Sequence, residues 1–172
     1  MRVRWLMQGM LGVMLACSQP DGGALYRQAA GQPPAEAAET CAAIPDESLQ
    51  GECLSFTASA AAKAGDMALA ASICARASAQ LWREECAFLV ADRAGRLRAG
   101  AAEDCAAAGR FEGDCLSHAL ERDLKQLPRA VRGPGGEAEL HAELLDMATH
   151  YSSDDPAHNA EMLLAHICLL YT

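Results

Sequence analysis

The chain has 172 residues, of which 51% are hydrophobic but only 5% aromatic, and its 14 basic and 23 acidic side chains leave a formal charge of −9. This length suffices for one domain with its own core, and the acidic balance argues against nucleic acid or anionic lipid headgroups as main partners. With so few aromatics the apolar surface falls to alanine and leucine, which bury little area each, so covalent staples would help such a core.

Residues 1–16 predict an export signal. Arg2 and Arg4 form a basic start, and Trp5 to Leu15 is an apolar run too short for a stable transmembrane anchor. The run ends in Met14-Leu15-Ala16-Cys17. This resembles the lipobox of bacterial lipoproteins, which has a small residue directly before an invariant cysteine; Met14 stands where the family prefers leucine. The resemblance implies diacylation of the Cys17 thiol, cleavage after Ala16 and acylation of the new amino terminus. Several acyl chains anchor far more firmly than one. The alternative is an ordinary secretory signal with Cys17 as a free thiol. Ser18 rather than aspartate follows the cysteine, which in the lipoprotein sorting rule implies the outer membrane. Loss of Arg2 and Arg4 with the signal would make the chain more acidic still.

Residues 17–34 hold Pro20, Gly22, Gly23, Gly31, Pro33 and Pro34 without sustained periodicity, and read as a flexible tether. Export also sets the redox expectation: an oxidising periplasm or cell exterior lets paired cysteines form disulfides.

A cysteine ladder follows in residues 35–127. Its first members, Cys41, Cys74 and Cys105, are 33 and 31 residues apart; its second members, Cys53, Cys86 and Cys115, are 33 and 29 apart. More than cysteine recurs. Four residues before each second cysteine stands Leu49, Trp82 or Phe111; immediately before it, Glu52, Glu85 or Asp114; three residues after it, Phe56, Leu89 or His118. Alanines precede each first cysteine at Ala37 and Ala38, Ala70 and Ala71, and Ala101 and Ala102. A period in the low thirties is the length of one helical hairpin, which predicts an all-α fold of tandem antiparallel hairpins in a solenoid-like array.

In chain order, a first helix runs from after Pro34 to near Ala43. Asp46 or Ser48 caps a second that reaches about Ala64, where Gly65 stops it. Asp66 caps a third through Cys74, and a turn near Ser78 leads to a fourth closed by Gly95. A fifth runs to Ala108 before Gly109, and a sixth from about Phe111 to Leu127.

Two cysteine pairings suit antiparallel hairpins. Cys41–Cys53, Cys74–Cys86 and Cys105–Cys115 staple each short loop, use all six thiols and repeat in every unit; Cys53–Cys74 with Cys86–Cys105 leaves two cysteines over. The first is preferred. Zinc ligation is the competing use, but no Cys-x2-Cys knuckle occurs, and Cys115-x2-His118 is the nearest approach to one. The architecture is similar to tetratricopeptide-type hairpins, and more so to disulfide-stapled helical repeats of secreted bacterial proteins, although the fixed Trp, Gly, Tyr and Pro positions of the tetratricopeptide are absent. The resemblance implies a scaffold for protein–protein contact.

Residues 128–136, with Pro128 and Pro134, read as a linker before a further helical hairpin over 137–167. Its first helix, to about Tyr151, carries Leu140, Leu144, Leu145, Met147, Ala148 and Tyr151 as its helical face; Asp154-Asp155-Pro156 starts the second. His141, His150, His158 and His166 lie here at spacings of 9, 8 and 8, which puts no neighbouring pair on one helical turn, so they read as surface or packing residues rather than metal ligands. The last five residues, Cys168-Leu169-Leu170-Tyr171-Thr172, match the translation of a widely used sequencing-transposon end. The expectation is therefore that the natural sequence departs from this one near His166 or Ile167 and continues.

No nucleophile–base pair, paired-carboxylate motif or phosphate loop is present, so no catalytic residue and no cofactor beyond the lipid on Cys17 is assigned. The sequence is read as a lipid-anchored envelope module that binds another envelope protein. The alternative is an accessory region of an envelope enzyme whose catalytic part lies further along the chain.

Overall fold

The computed structural model describes residues 21–127 and 135–151, and every element within them is helical. Cys17, the linker residues 128–134, the second helix expected after Pro156 and the last five residues lie outside the described residues.

The first helix is one the composition concealed. α1 (Gly22–Ala29) is capped by Asp21, whose carboxylate accepts from the Gly23 N–H at 3.2 Å. It packs on α2 (Pro34–Ala42) and α3 (Glu47–Lys63) through Leu25, Tyr26 and Ala29. The expected tether over 17–34 is therefore corrected in this stretch. Three apolar residues on one face are a short pattern, and the surrounding glycines and prolines mask it. Gly22 itself is part of the fit, since a Cβ there would lie 3.3 Å from Leu49 and 3.4 Å from Ile44.

From Pro34 onward the local chemistry sets the boundaries. Pro34 opens α2 at its first turn, where its missing N–H costs nothing. Asp46, not Ser48, caps α3 by accepting from the Leu49 N–H at 2.8 Å. Gly65, at φ 86°, ends that helix in a conformation other residues avoid. Asp66 then caps α4 (Met67–Cys74) through the Leu69 N–H at 2.9 Å. α5 (Gln80–Ala94) begins without a side-chain cap; instead Arg83 on its first turn donates back to the carbonyls of Ala77 and Ser78 at 2.8 and 2.7 Å.

α6 (Ala99–Cys105) is shorter than expected. The chain tightens into a 3-10 turn over Ala106–Phe111, with Gly109 at φ 55°, before α7 (Glu112–Gln126). α8 (Glu137–His150) completes the described elements.

Cys41–Cys53 joins α2 to α3, Cys74–Cys86 joins α4 to α5, and Cys105–Cys115 joins α6 to α7, with Cα–Cα distances of 5.5, 5.4 and 5.5 Å. Each disulfide thus ties a short helix to the longer one that follows. The alanine four residues before each first cysteine (Ala37, Ala70, Ala101) is buried, which lets the short helix approach closely. Two core clusters result. One gathers α1 to α5 around Ile44, Leu54 and Ile73; the other gathers the rest around Leu120, Leu124 and Met147.

The recurrent apolar residue before each second cysteine makes the join to an earlier helix. Leu49 lies on Gly22 of α1. Trp82 lies flat on Gly51 of α3, so close that a Cβ on Gly51 would sit 2.2 Å from the indole ring. Phe111 meets Phe88 of α5 with ring centroids 6.3 Å apart. At this third join the position equivalent to Gly51 is Glu84, and the glycine has moved to the other side: Gly109 approaches the Glu84 side chain, and Arg110 pairs with Glu84 at 2.6 Å.

Candidate functional site

All six paired cysteines are buried. They brace the frame and offer no accessible thiol. His118, the residue nearest to a metal-ligand spacing with Cys115, is exposed; its Nδ1 lies 3.1 Å from Asp92, and its ring meets the edge of Phe88 at 5.3 Å. Asp92 also accepts from Arg122 at 2.5 Å. Burial works to raise the Asp92 carboxyl, but the hydrogen bonds from Arg122 and His118 outweigh it and hold it below the ordinary carboxylate range. His141 is exposed, and His150 lies 3.8 Å from Asp146 on its own helix. Among the described residues no group of histidine, cysteine or carboxylate side chains is placed to hold a metal ion, and no helix is long and apolar enough to cross a membrane.

The feature best suited to recognition is an apolar groove of about 360 Å³ between α1, α2 and α3. Its walls include Tyr26, Ala29, Pro34, Ala37, Phe56 and Thr57. Phe56 stands at 58% exposure on α3, so its phenyl ring adds exposed apolar surface to the groove. Polar contacts set the rim. Tyr26 donates to Glu52 at 3.4 Å, and burial first, then the Glu52 charge, pushes its phenol up. Thr40 donates to Gln32 at 2.7 Å, closing the bend between α1 and α2. The floor is stiff because Cys53 belongs to the Cys41–Cys53 disulfide.

A second groove of about 370 Å³ runs along α4, α5 and α6. It is more polar, with Arg83 and Arg96 at its edge, and Arg96 is itself paired with Asp104 and with Glu103 at 3.4 Å. Those guanidiniums are already engaged, so this groove has less unsatisfied surface to offer.

A polar cluster lies at the far end of the molecule. Arg98 precedes α6 with φ 54° and ψ −126°, a region open in practice only to glycine and costing an ordinary residue about 1–3 kcal/mol. Its Nε donates to Asp123 at 3.1 Å, its Nη2 to Glu143 at 2.6 Å and its Nη1 to Asp146 at 2.5 Å. Its backbone N–H donates to the Tyr151 hydroxyl at 2.7 Å, and that hydroxyl donates to Asp123 at 3.0 Å. Burial pushes the Tyr151 phenol up to about 12.

Sequence reasoning missed both the Phe56 groove and the Arg98 cluster. Phe56 is visible in the repeat as the counterpart of Leu89 and His118, but an aromatic three residues after a buried cysteine reads as core. The exposed His118 at the same offset was the available signal that this row faces outward. Compared with known protein families, curated proteins and solved structures, the chain matches none.

Proposed function

We propose that the chain is a lipid-anchored module of a bacterial cell envelope that holds another envelope protein, its cysteine-tied helix pairs stacking as a tandem array. The observation that carries this reading is the apolar groove beside exposed Phe56, set on helices braced by disulfides. A stiff apolar groove loses little conformational entropy when a partner's side chains enter it. Three disulfides fit an oxidising compartment, and the lipobox at Met14–Cys17 supplies the route and the anchor. The acidic surface fits a protein partner rather than nucleic acid.

Site-specific photo-crosslinking in intact cells tests the groove. A photo-reactive residue at position 56 should give one discrete adduct, and the same residue at exposed Ser48 on the same helix should give none. Ala60→Arg, which sends a long charged side chain into the groove from an exposed position, should abolish the adduct. Labelling no stronger at 56 than at 48, or an adduct indifferent to Ala60→Arg, would refute the groove as the binding site. The anchor has its own test: the intact mass of the exported protein should show a chain starting at Cys17 and carrying acyl groups.

A further inference from the structure

Unlike α2 to α7, α8 has no disulfide to a neighbouring helix. Its chief backbone neighbour is α6. Among the described residues it is held by an apolar face of Leu140, Leu144, Met147 and the adjacent Tyr151, and by the Arg98 guanidinium.

Three carboxylates converge on that guanidinium from two sides. Asp123 comes from α7, and Glu143 and Asp146 come from α8. With Arg98 in place the cluster attracts. Without it, like charges on facing helices are left opposed. Among the described residues the other nearby cations are engaged elsewhere: Arg96 with Glu103 and Asp104, Arg122 with Asp92, and Lys125 with Glu121. His150 lies beside Asp146 on α8 itself, so that contact stays within the helix. The left-handed backbone at Arg98 is held in part by the hydrogen bond from its N–H to Tyr151. When α8 leaves, that bond goes and the backbone can relax. Strain therefore favours the undocked state and the ionic contacts favour the docked one, which defines two discrete arrangements.

We propose that α8 is a displaceable latch: it undocks as a unit from the α6–α7 end while the disulfide-tied body stays folded, and Arg98 is the pin that decides between the two states. Undocking withdraws Leu140, Leu144, Met147 and Tyr151 from the core cluster they share with Leu116, Leu120 and Leu124.

Hydrogen exchange of the full oxidised chain at neutral pH tests this. In the unaltered protein, α8 amides should exchange about ten-fold or more faster than those at the centres of α3 and α5, as expected of a segment that opens on its own. Arg98→Ala should speed α8 exchange by a further factor of about ten while α3 and α5 keep their rates. Tyr151→Phe should act in the same direction, more weakly. Exchange of α8 in step with α3 and α5 would overturn the latch. So would an Arg98→Ala protein whose α8 rates are unchanged, or one that loses protection everywhere at once. If Arg98→Ala does not fold, the ratio of rates in the unaltered protein and the Tyr151→Phe comparison decide.

Discussion

At the scale of single residues, the tightest approach to any described glycine is that of Trp82 to Gly51. The helix interior normally penalises glycine by about 1 kcal/mol against alanine, yet α3 keeps one at a fully buried position. The indole explains it, because a Cβ on Gly51 would fall 2.2 Å from the ring. Gly51→Ala should therefore destabilise by about 1–3 kcal/mol despite the better helix former, as overpacking does. The sequence holds two tryptophans, Trp5 and Trp82, so a Trp5→Phe background makes Trp82 its fluorescent reporter. The substitution should shift its emission to the red as the ring is pushed toward water. Gly113 on α7 is the control: nothing lies within 4 Å of a Cβ there, so Gly113→Ala should gain a few tenths to about 1 kcal/mol. Urea midpoints for the two variants should move in opposite directions; equal shifts would mean that the Trp82 contact carries no weight. Asp66→Ala removes the acceptor for the Leu69 N–H and should cost about 1 kcal/mol.

Among the elements, each disulfide closes a loop of ten or twelve residues and should add about 3 kcal/mol by restricting the unfolded chain. Replacing both Cys74 and Cys86 with serine should cost that much and more, since the two sulfurs are buried and a hydroxyl there finds an apolar setting. Thermal unfolding of the double variant against the parent measures it; an unchanged midpoint would mean that the α4–α5 pair is held by packing alone. The same elements divide into features legible in the sequence and features that only the packed chain creates. Asp46, Gly65, Asp66 and Gly95 act through their own backbone neighbours, so the helix ends they set were legible. The all-helical class followed from the period, and the repeated offsets pointed to the cysteine partners. Other features depend on residues far apart in the chain. α1 is stable because α2 and α3 cover Leu25 and Tyr26. Phe56 is exposed because no helix among the described residues lies over it, and the α6–α7 turn follows Gly109 rather than the pattern of the earlier repeats. Arg98 reads as an ordinary surface residue until Asp123, Glu143 and Asp146 are brought to it from positions 25 to 48 residues away.

Across the whole molecule, ion pairs link successive helix pairs, and this gives stability a pH dependence of definite sign. Glu39 of α2 pairs with Arg76 beyond α4 at 2.8 Å, Glu84 of α5 with Arg110 before α7 at 2.6 Å, and Asp92 of α5 with Arg122 of α7 at 2.5 Å. The hydrogen bonds from Arg76 and from Arg110 hold Glu39 and Glu84 below their ordinary value of 4.5, and Asp92 is held below 3.8. A carboxylate with a depressed folded value binds fewer protons folded than unfolded. Its contribution is present above the ordinary value and is lost as pH falls below it and through the folded value. Tyr151 sets the opposite flank. Its phenol is raised from 10 to about 12, so its contribution is complete below 10 and is lost as pH rises from 10 through 12. The urea midpoint should therefore fall on both sides, from about 4.5 downward and from about 10 upward. Asp92→Asn should flatten the acid limb and leave the alkaline one; Tyr151→Phe should do the reverse. The disulfides hold across the acid limb, so what acid loosens first is the contact between tied pairs and not the pairs themselves. Far-ultraviolet circular dichroism should keep its helical signal at a pH where the Trp82 emission has already shifted. If the helical signal is lost first, or if the midpoint rises toward acid, the ion pairs between helix pairs do not set the acid limb.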